Sequence, residues 1–523
     1  MATEKAFDGK SHLENQHRVT RKEFIAAGVA FAGAAGSAIA GNEPSALRVG
    51  IISDIHVSNP VAARSLENIL RIFDREKVDA VMIVGDLINW GRVSEMKVVA
   101  EAWRKVFPEN KRSDGVPVEK LFITGNHDVS GFLAAHANPK LTSSEDVEKH
   151  CFLPHRKEYW RELFGEEYEP ISMKTVKGYP FVLRNWYQFP SSKANRLVPP
   201  NIHTERDPTP DFMAKIAGEL PADRPFFYVQ HEPMFGTVIH KLRTVDQELD
   251  STAKILSRFP NCLAFTGHSH FTITDERSIW QGGFTAVNCS SGGGGVATPQ
   301  GRENGRNIFD YNRNPPFDMD CTCCRDVKHA IVMDVFSDKI TFRRLDTVRD
   351  MTLGADWVVP LFGGRTVPPS GTPKYDFAAR AAASAAPQFA AGAKVEVRET
   401  ENGRRRKADG RGVDPTPRHQ VVVSFPPIGP TASFERAFDF SVTAEMRPAD
   451  KTWTCIVQGK RVYSPNFNRS EKLEVDPVEC AFAYEFMPKK RDMRFVVRPF
   501  NCWGKAGEPI CSEWIRLPLP AEA

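Results

Sequence analysis

Histidine, aspartate and asparagine residues recur in five short motifs, each of which follows a run of apolar residues. The motifs are Asp54-Ile55-His56, Gly85-Asp86, Gly125-Asn126-His127-Asp128, His231 and Gly267-His268-Ser269-His270. Imidazole and carboxylate groups together suit Mn, Fe, Zn or Ni rather than calcium. The seven potential ligands, which are too many for one ion, are Asp54, His56, Asp86, Asn126, His231, His268 and His270. Two ions about 3.5–4 Å apart can clamp a transferring phosphoryl group, so the pattern predicts phosphoryl transfer at a pair of metals.

The apolar runs before the motifs predict the strands that position these ligands. They occupy residues 47–53, 80–85, 121–125, 226–230 and 263–267. Uninterrupted apolar runs are typical of strands buried on both faces. Apolar residues at helical spacing in 62–77 and 93–107 alternate with the first three strands, which predicts an α/β domain. Ligands of such sheets bind beyond the carboxyl ends of the strands, so the five strand ends should converge on one crevice.

Local chain geometry explains the spacing within the motifs. On an extended segment, the side chains of Asp54 and His56 would point the same way and could reach one ion. Glycine precedes Asp86, Asn126 and His268, where it allows the backbone to turn tightly into the site.

In this order, the five motifs resemble those of the calcineurin-like metallophosphoesterase family, over about residues 47–345. The resemblance implies an αββα fold in which two mixed sheets are sandwiched by helices. It implies one ion held by Asp54, His56, Asp86 and His270, and a second held by Asp86, Asn126, His231 and His268. A hydroxide bridging the two ions would attack phosphorus. His127 would protonate the leaving group or stabilise the transition state, and Asp128 would orient the His127 ring.

The resemblance also bears on the substrate. Purple acid phosphatases carry a tyrosine ligand where this chain has Asn89, so a purple iron site is not expected. His56 in the first motif is shared with diesterase-rich branches, which favours phosphodiesters over monoesters. Asn89, Trp90 and Arg92 either contact substrate or only pack their loop. Specificity is expected from loops within residues 130–223, predicted to be loops and short helices, and from 292–324.

The second half of the chain predicts different architecture. A hairpin of residues 330–335 and 339–344 closes a domain that spans 45–350. A Gly-, Pro- and Ala-rich linker with one short helix at 377–386 is expected over 351–387. An all-β sandwich is expected over 388–523, because seven strand-like runs follow, at 393–398, 420–425, 438–444, 452–458, 481–486, 493–498 and 513–517. The turn at 500–507 resembles the last hairpin of fibronectin type III domains.

Residues 1–41 have the features of an export signal. Arg18, Arg21 and Lys22 precede a weakly apolar run at 26–40 that ends in small residues. The pattern resembles a twin-arginine signal with Lys22 in the second position; the alternative is a disordered tail followed by an Ala-rich helix. Export would place the chain in the periplasm or outside the cell, where cysteines can pair.

Cysteine spacing leaves two interpretations open. Cys321, Cys323 and Cys324 could bind zinc together with His329, or form disulfides with Cys289 or Cys151. Four further cysteines could make two bridges, namely Cys455, Cys480, Cys502 and Cys511.

Composition limits the classes of function. With 523 residues, 41% hydrophobic and 26% charged, the chain is globular and not disordered throughout. A formal charge of +4 excludes a dedicated nucleic-acid binder, and no apolar run reaches the roughly 20 residues of a membrane span. The prediction is an exported two-metal phosphoesterase. The alternative is a metal-containing cell-surface or glycan-binding protein without turnover, whose sandwich contacts the glycan; the His127–Asp128 pair argues against it.

Overall fold

A computed structural model describes residues 44–129, 143–152, 157–186, 206–239, 248–297, 323–324, 327–406, 413–429, 436–449, 451–470 and 477–519. The predicted export signal at 1–41 lies outside these residues. None of the helices in the described ranges has the length and apolar character needed to cross a membrane.

The elements of the described residues are as follows. The strands are β1 (Leu47–Ile52), β2 (Ala80–Val84), β3 (Glu119–Ile123), β4 (Ile171–Val176), β5 (Tyr179–Arg184), β6 (Phe226–Val229), β7 (Cys262–Thr266), β8 (Ile279–Gln281), β9 (Thr285–Asn288), β10 (Val296–Ala297), β11 (Cys323–Cys324), β12 (His329–Val335), β13 (Lys339–Asp346), β14 (Met351–Thr352), β15 (Trp357–Pro360), β16 (Glu396–Arg406), β17 (Val413–Phe425), β18 (Asp439–Arg447), β19 (Cys455–Tyr463), β20 (Val478–Ala483), β21 (Asp492–Phe500) and β22 (Ile510–Cys511). The α-helices are α1 (Pro60–Arg75), α2 (Val93–Val106), α3 (Ser144–His150), α4 (Lys157–Phe164), α5 (Thr209–Ile216), α6 (Ser251–Leu256) and α7 (Phe377–Ala383).

The first sheet carries three of the ligand motifs. Its order is β14-β13-β12-β1-β2-β3, and β15 also pairs with β13. The β1, β2 and β3 strands are parallel, so their carboxyl ends meet at one edge. Helices α1 and α2 cover the outer face of this sheet, where Phe73 packs directly over Gly50 of β1. A side chain at position 50 would collide with the Phe73 ring, which explains the glycine inside a strand.

The second sheet carries the remaining motifs and packs against the first. Its order is β4-β5-β6-β7-β9-β8, with β5, β6, β7 and β9 parallel. One buried core joins the facing sides of the two sheets, including Ile51 and Phe227. Helices α5 and α6 cover the outer face of the second sheet. The domain therefore has the mixed sheets and four layers that the resemblance implies, and the five predicted ligand strands are confirmed to within two residues at each end.

The prediction of loops and short helices for residues 130–223 is only partly right. Helices α3, α4 and α5 lie there, but β4 and β5 form an antiparallel hairpin at the edge of the second sheet. Its turn is Lys177-Gly178, with φ values of 47° and 82°. Two consecutive positive φ values match the twist of the flanking strands, and Gly178 was the sequence cue to this turn, since lysine does not favour such a conformation.

The predicted linker at 351–387 is wrong as a linker, although its short helix is confirmed as α7. Within it, β15 pairs antiparallel with β13, with Val359 opposite Ile340. Arg380 of α7 is buried and donates to the Glu276 carboxylate. Residues 45–523 accordingly form one compact unit. Glycine and proline content suggested a linker, but contacts with distant residues order this segment.

The C-terminal residues form two antiparallel sheets with a shared core. Their orders are β16-β17-β20 and β19-β18-β21-β22. Val423, Phe440 and Phe495 lie in the core between them. The predicted run at 513–517 is not a strand, since β22 ends at Cys511 and only Ile515 makes an isolated bridge, to Met493.

Candidate metal centre

The ligand motifs lie in the turns that follow five strands of the two sheets. Asp54, Asp86 and Asn126 follow β1, β2 and β3, whereas His231 and His268 follow β6 and β7. The segment around Asp54 is not extended as predicted, because Asp54 and His56 have φ values of 51° and 50°. Left-handed backbone also occurs at three further ligand positions, Asp86, His268 and His270. Such conformations are costly for residues other than glycine and persist where the surroundings impose them.

The first group of ligands consists of Asp54, His56 and His270, whose ligand atoms lie within 4.8 Å of one another. The Oδ2 atom of Asp54 accepts hydrogen bonds from Ser53 Oγ, at 2.6 Å, and from the backbone N–H of His268, at 2.8 Å. Its Oδ1 atom lies 3.0 Å from His270 Nε2. His270 Nδ1 donates to the Gly295 carbonyl at 3.1 Å, which leaves Nε2 for an ion.

Asp86 lies between two groups of ligands. Its Oδ1 atom accepts a hydrogen bond from the His127 N–H at 2.8 Å. Its Oδ2 atom is 3.6 Å from His56 Nε2 and 3.2 Å from His231 Nε2. One carboxylate oxygen thus faces imidazoles of both groups, which is the position that a bridging ligand requires.

The second group consists of Asp86, His231 and His268. His231 Nδ1 donates to the Val84 carbonyl at 2.7 Å, so its Nε2 faces Asp86. Asn126 Oδ1 lies 3.0 Å from His268 Nδ1 and therefore stands beside this group. The structure brings all seven predicted ligands to one edge of the two sheets.

The arrangement of these residues favours bound divalent cations over direct contacts among the residues. Asp54 Oδ1 and His231 Nε2 are buried, and neither makes a hydrogen bond of good geometry among the described residues, although Asp54 Oδ1 lies 3.0 Å from His270 Nε2 and His231 Nε2 lies 3.2 Å from Asp86 Oδ2. The Nε2 atoms of His56 and His270 face each other at 3.0 Å. Buried polar atoms with poor hydrogen bonds are costly, and coordinated cations would satisfy them.

The charges of the centre are strongly coupled. Burial opposes the charged form of His231, but the Asp86 and Asp54 carboxylates outweigh burial and raise its pKa to about 10. Burial likewise opposes ionisation of Asp54, yet His270 and His231 hold its pKa well below the usual range. The cluster therefore binds cations readily, protons included.

The structure corrects the predicted role of Asp128. Its two oxygens accept the backbone N–H groups of Gly125, at 2.7 Å, and Ile88, at 2.9 Å, so it joins the turns after β3 and β2. His127 Nδ1 instead donates to the Asn89 carbonyl at 2.8 Å. Burial, together with Asp86, raises the pKa of Asp128 to about 7. Asp128 is thus a residue that shapes the loops, while a carbonyl orients the His127 ring.

His127 itself lies against the ligands. Its ring centroid is 4.6 Å from that of His56, in an edge-on arrangement, and one ring nitrogen lies within 4.8 Å of ligand atoms of His56 and Asp86. Because Nδ1–H is donated to a carbonyl, protonation of this ring places the additional proton on Nε2.

Of the residues after Asp86, Asn89, Trp90 and Arg92 have structural contacts through their backbone. The N–H groups of Trp90 and Arg92 donate to Glu95 at the start of α2, and Asn89 accepts from His127. The Trp90 side chain is 38% exposed. Loop packing therefore accounts for the backbone contacts of this segment.

Sequence reasoning missed Trp186 as a neighbour of the centre. Its ring is stacked at 6.3 Å from the His268 ring and lies edge-on at 6.0 Å from His231. Trp186 follows β5, the strand next to β6, so the unrecognised hairpin concealed it.

The glycine loop after β9, residues 292–295, borders the centre. An added Cβ at Gly294 would lie 2.5 Å from His56 and 2.6 Å from His270. Ser291 Oγ donates to the Asp54 carbonyl at 2.9 Å, and the Gly294 N–H donates to the same oxygen at 3.0 Å. This loop therefore supports the Asp54 turn from behind.

The structure shows none of the disulfides considered for Cys151, Cys289 and the four C-terminal cysteines. Cys151 and Cys289 are buried free thiols, and the four described cysteines of the C-terminal sheets are also free: Cys455, Cys480, Cys502 and Cys511. Cys321 lies outside the described residues. His329, considered as a zinc ligand, hydrogen-bonds to Ser290 and to the Asn468 carbonyl.

Comparison with known proteins agrees with this geometry. Residues 47–271 match the family model described as calcineurin-like phosphoesterase. A curated protein of Danio rerio, described as a transmembrane protein with metallophosphoesterase domain, is 29% identical over 124 residues, which are 23% of this chain. The match spans only about a quarter of that relative, 26% of its length.

Two solved structures are similar to part of this chain. A dimetal phosphatase from Danio rerio shares 11% identity over 60% of this chain and 99% of its own, with a TM-score of 0.32. A structure described as GAP50, the anchor in the inner membrane complex of Plasmodium, shares 11% identity over 60% of this chain and 88% of its own, with a TM-score of 0.34.

Proposed function

We propose that this chain, whose residues 47–271 form a calcineurin-like metallophosphoesterase domain, hydrolyses phosphate esters with two divalent metal ions and prefers phosphodiesters. That family implies metal-dependent phosphoester hydrolysis. The observation that carries the proposal is the Asp86 carboxylate, one oxygen of which faces His56 on one side and His231 on the other. Mn, Fe or Zn would suit these nitrogen and oxygen donors.

The ligands of this chain would form two ion positions. Asp54, His56, Asp86 and His270 would hold the first ion, and Asp86, Asn126, His231 and His268 the second. When bound, the two ions supply positive charge to the phosphoryl oxygens and lower the pKa of the attacking water. The hydrogen bonds from His231 to Val84 and from His270 to Gly295 fix which ring nitrogen each histidine presents.

His127 is proposed as the group that assists departure of the leaving oxygen. The Asn89 carbonyl holds its Nδ1–H, so that the protonated ring would donate from Nε2. General acid assistance of this kind contributes about 10²–10⁴-fold to a rate. The alternative, a binding protein without turnover, is not favoured, because metal binding alone does not require an oriented imidazole beside the ligands.

The proposal extends to the ends of the chain. The signal-like residues 1–41 support export to the periplasm or beyond, by the twin-arginine route. Processing near residue 40 in a bacterial host, read by mass spectrometry of the exported protein, tests this export.

The strand orders β16-β17-β20 and β19-β18-β21-β22 support a fibronectin type III-like sandwich, which could contact a glycan or cell surface.

Hydrolysis of bis-p-nitrophenyl phosphate beside p-nitrophenyl phosphate, with Mn²⁺ added, tests the function. We expect turnover of both and a higher kcat/KM for the diester. A higher kcat/KM for the monoester would contradict the diester preference alone. Metal binding without turnover of either ester, or of a panel of nucleotides and phospholipid head groups, would contradict the hydrolase.

The two ends of β2 offer a matched pair of variants. Asp86→Asn removes the shared ligand, whereas Asp79→Asn changes a carboxylate at the opposite end of the same strand, which pairs with Lys177 at 2.7 Å. We expect only Asp86→Asn to abolish hydrolysis. Equal activity in both variants would exclude the two-metal site.

A further inference from the structure

A buried chain of hydrogen bonds runs from the C-terminal sheets to the metal centre. The Asn468 carbonyl, in the turn after β19, accepts from His329 Nε2 at 3.0 Å. His329 Nδ1 lies 3.1 Å from Ser290 Oγ. A carbonyl only accepts, so Nε2 carries the hydrogen of the neutral ring and Ser290 is the donor at Nδ1.

The chain continues from Ser290 to the ligands. The Ser290 N–H donates to Asn288 Oδ1 at 2.9 Å, and Asn288 Nδ2 donates to Ser269 Oγ at 2.6 Å. Ser269 stands between two predicted ligands, His268 and His270. The side chains of the chain are fully buried: Ser269, Asn288, Ser290 and His329 are all 0% exposed.

His329 also holds the glycine loop through its backbone. Its N–H donates to the Ser291 carbonyl at 3.0 Å, while Ser291 Oγ donates to the Asp54 carbonyl at 2.9 Å. Ser290 has a φ of 61°, a conformation that serine rarely adopts without support. The loop that backs Asp54 and His270 is therefore anchored at one residue of β12, which is anchored in turn to the C-terminal sheets.

We propose that His329 is a positioning residue of the metal centre, through which the turn carrying Asn468 fixes Ser290, Asn288 and the ligand segment 268–270. The C-terminal sheets then form part of the metal-binding unit rather than a separate attachment module. The inference rests on the proposed two-metal site, but it is tested by metal affinity, which does not depend on turnover.

The test compares Mn²⁺ dissociation constants of full-chain variants by equilibrium dialysis with metal analysis. His329→Leu removes both side-chain hydrogen bonds and should weaken Mn²⁺ binding about tenfold or more, as loss of an outer partner of a ligand does. His329→Asn keeps an oxygen towards Ser290 and should recover part of that loss. Ser290→Ala, a smaller change, should weaken binding as well.

The matched control is Asn501→Ala. Asn501 also joins the C-terminal sheets to the rest of the chain, through 3.0 Å and 2.9 Å bonds to Ser384 Oγ and the Ala385 carbonyl. It is equally buried, at 2% exposed, but its bonds lead away from the glycine loop. We expect Asn501→Ala to lower the unfolding temperature and leave the Mn²⁺ dissociation constant within about twofold.

A double variant sharpens the result. His329→Leu with Ser290→Ala should bind Mn²⁺ no more weakly than the weaker single variant, because both remove the same link. Metal affinities of His329→Leu and Ser290→Ala equal to that of Asn501→Ala would overturn the proposal and leave His329 a purely structural residue. Metal binding as proposed without hydrolysis in the unmodified chain would instead count against the function alone.

Discussion

Two buried polar clusters of this protein differ in the kind of group that faces their carboxylates. In the metal centre these groups are imidazoles: His270 Nε2 lies 3.0 Å from Asp54 Oδ1, and His231 Nε2 lies 3.2 Å from Asp86 Oδ2. In the second cluster, Glu276 Oε1 accepts from Arg344 at 3.0 Å, and Oε2 accepts from Trp357 Nε1 at 3.0 Å. Arg380 donates to the same carboxylate.

The difference shows that burial of charge does not by itself mark a functional site. Glu276 is as deeply buried as Asp86, at 1% exposed, but donors from β13, β15 and α7 bind both of its oxygens. Such a cluster holds segments together. Asp54 and Asp86 instead face imidazole nitrogens, which can exchange protons for metal ions.

The largest effect is expected in the metal centre, the open cluster of the two. Asp86→Asn should reduce Mn²⁺ affinity by more than the roughly hundredfold that loss of an outer-shell partner costs, and hydrolysis with it. The unfolding temperature of the metal-free protein should also fall, because His231 loses the buried carboxylate that raises its pKa. Metal analysis after dialysis measures the first quantity and calorimetry the second. Retention of two ions per chain would show that Asp86 is not required as a shared ligand.

The closed cluster, in which Arg344, Trp357 and Arg380 bind Glu276, should lose stability without loss of affinity at the metal centre. Glu276→Gln leaves Arg344 and Arg380 buried without their carboxylate, which should lower the free energy of unfolding by about 3–5 kcal/mol. Once folded, the variant should bind Mn²⁺ as the unmodified chain does. Urea unfolding and metal analysis of the same sample check both statements; lost metal affinity in the folded variant would mean that the clusters are coupled.

Within the open cluster, His127 should be separable from the ligands. His127→Gln should lower kcat about a hundredfold at saturating Mn²⁺ and leave metal stoichiometry at the value of the unmodified chain. Steady-state kinetics with metal analysis test this. A lower metal content with normal kcat per bound pair would make His127 a ligand instead.

Protons should compete with metal in the open cluster. His231, with a pKa raised to about 10, is protonated at neutral pH when metal is absent, and coordination requires its neutral form. Metal affinity should therefore fall about tenfold for each pH unit below 10 for each proton displaced. In the metal-free protein, the contribution of His231 to stability is present below its unfolded pKa of about 6.5 and is lost as pH rises through about 10.

Calorimetric titration with Mn²⁺ at pH 7, in two buffers of different ionisation enthalpy, measures the released protons. We expect at least about one per chain. Identical enthalpies in the two buffers would show that His231 is already neutral.

The smallest effect is expected at an exposed ion pair that belongs to neither cluster. Arg75 Nη2 lies 2.6 Å and 2.8 Å from the two Asp350 oxygens, with both side chains more than half exposed. Arg75→Ala should change the free energy of unfolding by at most about 1 kcal/mol. A larger loss by urea unfolding would show that exposed pairs match the closed cluster in strength.

Much of the fold could be predicted because local sequence patterns indicate its strands and the turns between them. The five ligand strands are short uninterrupted apolar runs, and the hairpin of β12 and β13 surrounds a polar turn, as expected. The strands β4 and β5 were missed because the alternation of β4 stops at Thr175-Val176 and Pro180 lies within β5. β15 was missed because its pairing with β13 gives strand structure to a segment of linker-like composition.

In the candidate site, as in the fold, local features were predicted and contacts between distant residues were not. Ligand types and their places at strand ends were readable from the sequence, but the role of Asp128 was not. Its carboxylate lies next to His127 in sequence, yet it bonds to Ile88, 40 positions away. Adjacency along the chain says little about which partner a side chain reaches once turns are formed.

The kinds of ligand atoms, their order and the strands that carry them can be read from the amino-acid sequence, because apolar periodicity and residue chemistry are local properties. Which nitrogen each histidine presents, which carbonyl orients His127 and how the C-terminal sheets reach the centre depend on the folded protein. Those features depend on contacts between distant residues, such as His329 and Asn468, 139 positions apart. A sequence pattern holds no record of such contacts, since they arise only when the sheets pack.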